Sequence, residues 1–282
     1  MDNLKRAVIF MLLSTSAFAV MNALAKFLKE FSTFELVFFR SLGTLVITMT
    51  LLTVYKIPLL GNKKGLLIAR GILGTLSLLL FFGSLKSLPV GTAVTLRYLS
   101  PVFAAIFALV FLKERIRPVQ WLFFMISFVG VLVIKGFDEQ VEFVGLVLVV
   151  LSAIVLGSVY VVISKIGKQD HPLVIVNYFM AIGVLVGGVL ALSDWRNPVG
   201  MEWVILGSLG VVGFIGQYFM TKAFQIASTT QVAPLAYLEV IFTVLLGILW
   251  FSDSYTYLAI IGILLVLTGL LCNLYYKSRI VK

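Results

Sequence analysis

The stretch Leu96-Arg97-Tyr98-Leu99-Ser100-Pro101-Val102-Phe103 returns 139 positions later as Leu235-Ala236-Tyr237-Leu238-Glu239-Val240-Ile241-Phe242. The same shift lays Lys26 and Lys29 on Lys165 and Lys168, Gly71 and Gly74 on Gly210 and Gly213, and Gly130 on Gly269. No gap is needed. Self-similarity at one fixed offset marks a tandem duplication, and it governs every later reading of the chain. The two copies are expected at 1–139 and 140–282.

Composition says where such a chain resides. Hydrophobic residues make up 61% and charged residues 12%, against about half and about a quarter in soluble domains. The apolar runs at 7–27, 66–85, 92–112 and 257–275 each approach the roughly 20 residues that cross about 30 Å of hydrocarbon. An all-α integral membrane protein is expected, with the lipid bilayer as its solvent. The net charge of +10 sits in short clusters between apolar runs. That pattern fixes membrane orientation and does not point to nucleic acid. Lys5-Arg6, an apolar stretch and Ala17-Phe18-Ala19 imitate a signal peptide. The apolar stretch runs on to Phe27, too long for such a segment, so it reads as an uncleaved first membrane helix.

Charge clusters and Gly or Pro breaks divide the chain into helices near 7–27, 34–54, 66–86, 91–112, 118–135, 143–165, 173–192, 203–222, 229–250 and 257–276. That is ten transmembrane helices, five per copy. With the N-terminus inside and strict alternation, the inner segments hold thirteen Lys and Arg and the outer ones five. The bias places both termini in the cytoplasm of a cell (inner or plasma) membrane. Because five is odd, the second copy enters from the opposite side. The architecture expected is therefore two five-helix inverted repeats, with a substrate site between them near the midplane and alternating access around it.

Ionisable groups within the spans narrow the search, because they are costly there and face the bundle interior or water. Arg40 lies two turns from the outer end of the second span, where it can snorkel or pair with Glu35. Arg97 has a similar depth in the fourth. Glu239 lies near the middle of the ninth, out of reach of either surface. Arg97 matches Ala236 and Glu239 matches Ser100 in the repeat register, so the copies differ where polarity matters. Three readings stand for this pair: a structural ion pair, two poles for a zwitterionic solute, or a proton site at Glu239. Asn22, Tyr98, Tyr160, Ser164, Asn177, Tyr178, Gln217, Tyr218 and Tyr237 add amide, hydroxyl and phenol groups suited to a small polar ligand or to interhelical hydrogen bonds. Of these, Asn22, Tyr98, Gln217, Tyr218 and Tyr237 join Arg97 and Glu239 as candidate substrate-binding residues, with Gln217-Tyr218 beside a glycine face the leading cavity candidate. The glycines of the third and eighth spans serve close packing, or a face on which helices slide.

His171, in Asp170-His171-Pro172, reads as a helix cap. With one His and one Cys (Cys272) in the chain, no metal and no cofactor are expected. Nor is there a His-Glu-x-x-His, Gly-x-Ser-x-Gly, paired-Asp or Walker motif, which argues against an intramembrane enzyme and against ATP as the driving force.

Leu99-Ser100-Pro101-Val102-Phe103, leading to Phe111-Leu112-Lys113-Glu114-Arg115, resembles the EamA family of the drug/metabolite transporter superfamily, as does Phe39-Arg40 in the second span. The resemblance covers the whole chain. It implies a central cavity lined by the third, fourth, eighth and ninth helices, with the fifth and tenth peripheral, and movement of amino acids, other metabolites or drugs. The second copy departs from the pattern: Val240 replaces the proline and Asp253-Ser254 replaces Glu114-Arg115. The function expected is secondary active transport of small polar or amphipathic metabolites, amino-acid-like solutes first, with a proton or other ion as coupling partner. Export of cationic drugs or other metabolites and a passive channel are the alternatives. Monomer and homodimer both remain open.

Overall fold

The computed structural model describes residues 3–88, 90–113, 117–136, 142–251 and 256–280. All regular structure among them is helical: α1 (Asn3–Phe27), α2 (Thr33–Val54), α3 (Lys64–Ser84), α4 (Val90–Arg97), α5 (Ser100–Phe111), α6 (Pro118–Gly136), α7 (Phe143–Ile166), α8 (Pro172–Ala191), α9 (Met201–Ile226), α10 (Thr229–Val232), α11 (Leu238–Phe251) and α12 (Tyr257–Ile280), with 3-10 turns at Gly167–Gln169 and Ala233–Tyr237. Six helices (α1, α2, α3, α7, α8 and α9) are long and apolar enough to cross a membrane, and α5, α6 and α12 carry shorter apolar stretches. Large apolar side chains such as Val46, Leu185, Val204 and Leu249 face outward. That is the surface of a protein whose solvent is hydrocarbon, and the chain is a multi-pass membrane protein.

Local chemistry sets the ends of the helices. Ser32 caps α2 by accepting the Glu35 N–H at 3.2 Å, while the Glu35 carboxylate accepts the Ser32 N–H at 2.8 Å, a reciprocal capping box. Gly167 ends α7 at φ +56, a conformation that costs a residue without Cβ little. His171 caps α8 as expected: its Nδ1 accepts the Leu173 N–H at 3.2 Å, and Pro172 occupies the first turn.

Two of the expected spans differ from expectation. The fourth, foreseen as one helix over 91–112, breaks into α4 and α5 at Tyr98-Leu99, and the ninth, over 229–250, into α10, a 3-10 turn and α11. Pro101 explains the first break. It has no N–H to offer the Arg97 carbonyl, and the Val102 N–H turns to the Leu99 carbonyl at 3.0 Å instead. Apolar run length could not show this, since each span reads as one continuous run.

α1 packs on α9 and α11, α3 and α5 on α7, α2 on α8 and α9, α3 on α8, and α6 on α12. One close crossing is α2 against α9, where Gly43 and Gly210 meet backbone to backbone: a Cβ on Gly210 would lie 2.6 Å from the Gly43 Cα. At one end of the bundle the Asp170 carboxylate accepts the backbone N–H groups of Asn62 and of Lys63 (3.0 Å), and Gln225 donates to the Asp170 carbonyl at 2.8 Å. At the other end Arg196 pairs with Glu30 (3.1 Å) and Glu202 (2.8 Å), and its N–H bonds Glu35 at 2.7 Å.

Candidate functional site

The two broken spans meet. The Tyr237 hydroxyl donates to the Tyr98 carbonyl at 2.6 Å, and their rings lie 5.0 Å apart. A backbone carbonyl left without its helical donor must be satisfied inside the membrane. Here the donor comes from the equivalent residue of the other copy. The breaks also give the two charges favourable ends: Arg97 falls in the last turn of α4 and Glu239 in the first turn of α11, each suited to the helix dipole. Glu239 is therefore mid-span in sequence but at a helix N-terminus in space.

Arg97 and Glu239 both line one central cavity, with Phe18, Met21, Arg40, Arg70, Gly74, Ser77, Leu78, Tyr98, Ser100, Tyr160, Phe179, Gln217 and Ala236 among its other walls. About 50 Å³ is open to the centres of water-sized molecules, enough for several waters at roughly 10–15 Å³ each. Arg97 and Glu239 do not close on each other as an ion pair, unlike Arg196, which pairs with Glu30 and Glu202. Glu239 instead accepts from Asn22 Nδ2 at 2.8 Å, leaving Asn22 Oδ1 buried without a partner. The Arg97 guanidinium lies 4.1 Å from the centre of the Phe81 ring, with its Nε buried and unbonded.

The other candidates separate. Gln217 lines the cavity, where its Oε1 accepts from Arg70 Nη2 at 2.8 Å. Tyr98 lines it with a buried hydroxyl beside the Glu239 carboxylate. Tyr237 is committed to bracing the break and Asn22 reaches the cavity through Glu239. Tyr218 lies outside the lining, stacked on Phe214 at 5.5 Å and beneath Lys222, because one position along a helix turns a side chain by about 100°. Glu114-Arg115 and Asp253-Ser254 fall outside the described residues.

Arg40 corrects its expected reading. It neither snorkels nor meets Glu35, whose oxygens serve Ser32 and Arg196. It is fully buried, with Nε against Met21 Sδ at 3.1 Å and the guanidinium 5.6 Å from the Phe179 ring centre. Arg70 is absent from the sequence-based set altogether. Seven residues beyond Lys63, it occupies a depth at which a cation ordinarily reaches the headgroups, yet it is 1% exposed and 4.3 Å from the centre of the same ring. The one sequence signal was its presence in an apolar span opposite Leu209 in the repeat register.

A multi-pass helical bundle with charged side chains around an internal cavity is the construction of a membrane transporter. Comparison with known proteins places it more closely. The profile of the EamA-like transporter family matches the chain twice, over residues 5–136 and 143–275, and the chain belongs to that family. It is 34% identical over 273 residues to the pseudopaline exporter CntI of Pseudomonas aeruginosa, covering 95% of this chain and 96% of the relative. It is 28% identical to solute carrier family 35 member G1 of Homo sapiens (92% and 76% covered) and 24% identical to the S-adenosylmethionine uptake transporter of Rickettsia prowazekii (96% and 93%). A solved crystal structure shares the fold over 97% of both chains, with a TM-score of 0.76 at 16% identity. These relatives are named as transporters, and the family is one of transporters, not enzymes.

Proposed function

We propose that this chain is a secondary active transporter of small, polar, amino-acid-like solutes, working by alternating access between two inverted repeats of five spans each. The observation that carries the reading is that Arg97 and Glu239, one from each copy and each at a broken helix, line one cavity without closing an ion pair. Arg97 takes the solute carboxylate. Glu239 and the free Asn22 Oδ1 take the ammonium, with Tyr98 and Gln217 beside them. Glu239 is also the group on which a proton would act as coupling ion.

Three observations support ten spans arranged as repeats over 1–139 and 140–282. The family profile matches each copy separately. Exchanging the copies turns the α1–α9 contact into α3–α7, α2–α9 into α3–α8, and α1–α11 into α5–α7, all of which are present. Connections assigned to one membrane face also touch: 55–63 meets Asp170, the segment after α1 meets Arg196, and Ser87 and Leu88 abut Gly145. With the positive charge bias, this supports cytoplasmic termini in a cell membrane.

The cavity is small beside the roughly 300–1,000 Å³ of a pocket that encloses a drug-sized ligand, and both ends of the bundle are tied. A solute enters only when one tie opens, which is the behaviour alternating access requires and a passive channel lacks. Three arginines against one carboxylate disfavour cationic drugs. Relatives named for export and for uptake indicate that the fold serves either direction.

The test is uptake into proteoliposomes. Glu239→Gln abolishes transport of amino-acid-like solutes while elution profile and melting temperature stay near wild type; transport at the wild-type rate would remove Glu239 from the site. Arg97→Lys weakens carboxylate-bearing solutes selectively, whereas equal loss for every solute would mark Arg97 as structural.

A further inference from the structure

Arg97 and Glu239 leave two of the cavity's charges unused. Arg40 and Arg70 reach it from α2 and α3 and are 0% and 1% exposed. Nη1 and Nη2 of Arg40 and Nε and Nη1 of Arg70 are buried without a hydrogen-bond partner among the described residues. Of the remaining donors, Arg40 Nε meets only a thioether sulfur and Arg70 Nη2 an amide oxygen. Both guanidiniums lie against the ring of Phe179, whose quadrupole offsets part of their charge but offers no acceptor to an N–H. Around them stand Met21 from α1, Phe179 from α8 and Gln217 from α9, and Glu239 is the one carboxylate among the cavity's lining residues. Two like charges buried together without a counter-ion are strongly unfavourable. A guanidinium fork is moreover shaped for a bidentate carboxylate.

Resting on the reading of this cavity as the solute site, we infer that the transported solute carries at least one carboxylate beyond that of a simple amino acid, and that Arg40 and Arg70 form the subsite that takes it. The charge count carries the substrate class. Three cations and one anion line the cavity. A zwitterionic amino acid leaves that excess as it is, whereas each further carboxylate offsets one cation. An amino dicarboxylate is therefore preferred to a neutral amino acid, and an amino tricarboxylate to both. The approach agrees in sign. A recess of about 370 Å³ between the C-terminal ends of α1 and α3 is rimmed by Lys26, Lys29 and Lys86 over an apolar floor that includes Phe82 and Leu85. Such a basic recess concentrates anions at that end of the bundle.

The experiment measures binding to the purified full chain in nanodiscs, with leucine, glutamate, γ-carboxyglutamate, propane-tricarboxylate and phosphoserine as probes. The expected order is γ-carboxyglutamate over glutamate over leucine, by about tenfold per added carboxylate. Propane-tricarboxylate, lacking the ammonium, binds less tightly than γ-carboxyglutamate. In Arg40→Gln and Arg70→Gln the glutamate-to-leucine affinity ratio falls toward one, and Arg70→Lys restores part of it. The charge series on the unmodified protein stands even if a glutamine variant does not fold. Leucine binding as tightly as glutamate overturns the inference while leaving the proposed transport of amino-acid-like solutes intact. Phosphoserine outranking both carboxylate-rich amino acids overturns it in favour of a phosphate subsite. No binding of any probe overturns the transport reading and this inference together.

Discussion

The two copies of the repeat build one cavity from equivalent positions and give it unequal chemistry. Arg40, Arg70 and Arg97 of the first copy correspond to Phe179, Leu209 and Ala236 of the second, while Glu239 of the second corresponds to Ser100 of the first. Met21 answers to Tyr160 and Leu78 to Gln217, and all four line the cavity. The first copy thus supplies cations, and the second supplies the carboxylate, the amide and the ring that two of the cations rest against. Where the copies still agree, as at Tyr98 and Tyr237, the residues hold the frame. The two halves are alike where they hold the frame and differ where they line the cavity.

That contrast can be broken at matched positions. The largest effect is at Glu239 and Ser100: Glu239→Gln abolishes transport, and Ser100→Ala, which removes no charge, retains most of it. Next come Gly210 and its equivalent Gly71. A methyl on Gly210 meets the Gly43 backbone at 2.6 Å, whereas one on Gly71 meets first the terminal methyl of Ile182, which can rotate away, and the backbone carbonyl of Tyr178 only at 3.1 Å. Gly210→Ala is expected to cost about 1–3 kcal/mol or more as overpacking, seen as a lower melting temperature in detergent, and Gly71→Ala distinctly less. Equal losses would mean that the two crossings are alike after all.

Tyr237 and Tyr98 come third. Tyr237→Phe leaves the Tyr98 carbonyl unsatisfied, at about 1–3 kcal/mol. The Tyr98 hydroxyl interacts weakly with the Glu239 carboxylate and braces no backbone group, so Tyr98→Phe costs less than Tyr237→Phe. Smallest are the equivalent caps Ser32 and His171. Ser32→Ala removes the side-chain half of a capping box and costs about 1 kcal/mol, while His171→Ala, whose bond of the same length is not reciprocated, costs less. Burial, and then the charge of Lys222, hold the His171 imidazole below its usual pKa of 6.5. The unfolded chain therefore takes up the proton first. The cap's contribution is intact above about pH 6.5 and is lost as pH falls through the lowered value. The wild-type melting temperature should drop slightly more between pH 7.5 and 5 than that of His171→Ala.

Composition, apolar run length and the 139-residue echo made the membrane setting and most helix boundaries legible in the amino-acid sequence. Those signals add up over windows of about 20 residues, and no single side chain decides them. The sequence also brought Arg97 and Glu239 forward, because a charge in the middle of an apolar span stands out. It could not find Arg70, or place Arg40 correctly, because depth along a helix says nothing about which way the side chain turns. Tyr218 differs from its neighbour for the same reason: Gln217 faces the cavity and Tyr218 does not.

By itself, then, the sequence determined a duplicated, multi-pass helical transporter with isolated charges in its spans. Only the tertiary structure decided that α4 and α11 begin or end at the cavity, that the Tyr237 hydroxyl closes the gap at Tyr98, and that three arginines share one cavity with one carboxylate. The physical reason is rotation. Hydropathy is nearly the same all around these helices, so the direction of each polar side chain is set by the glycine crossings and the proline break against which the helices pack.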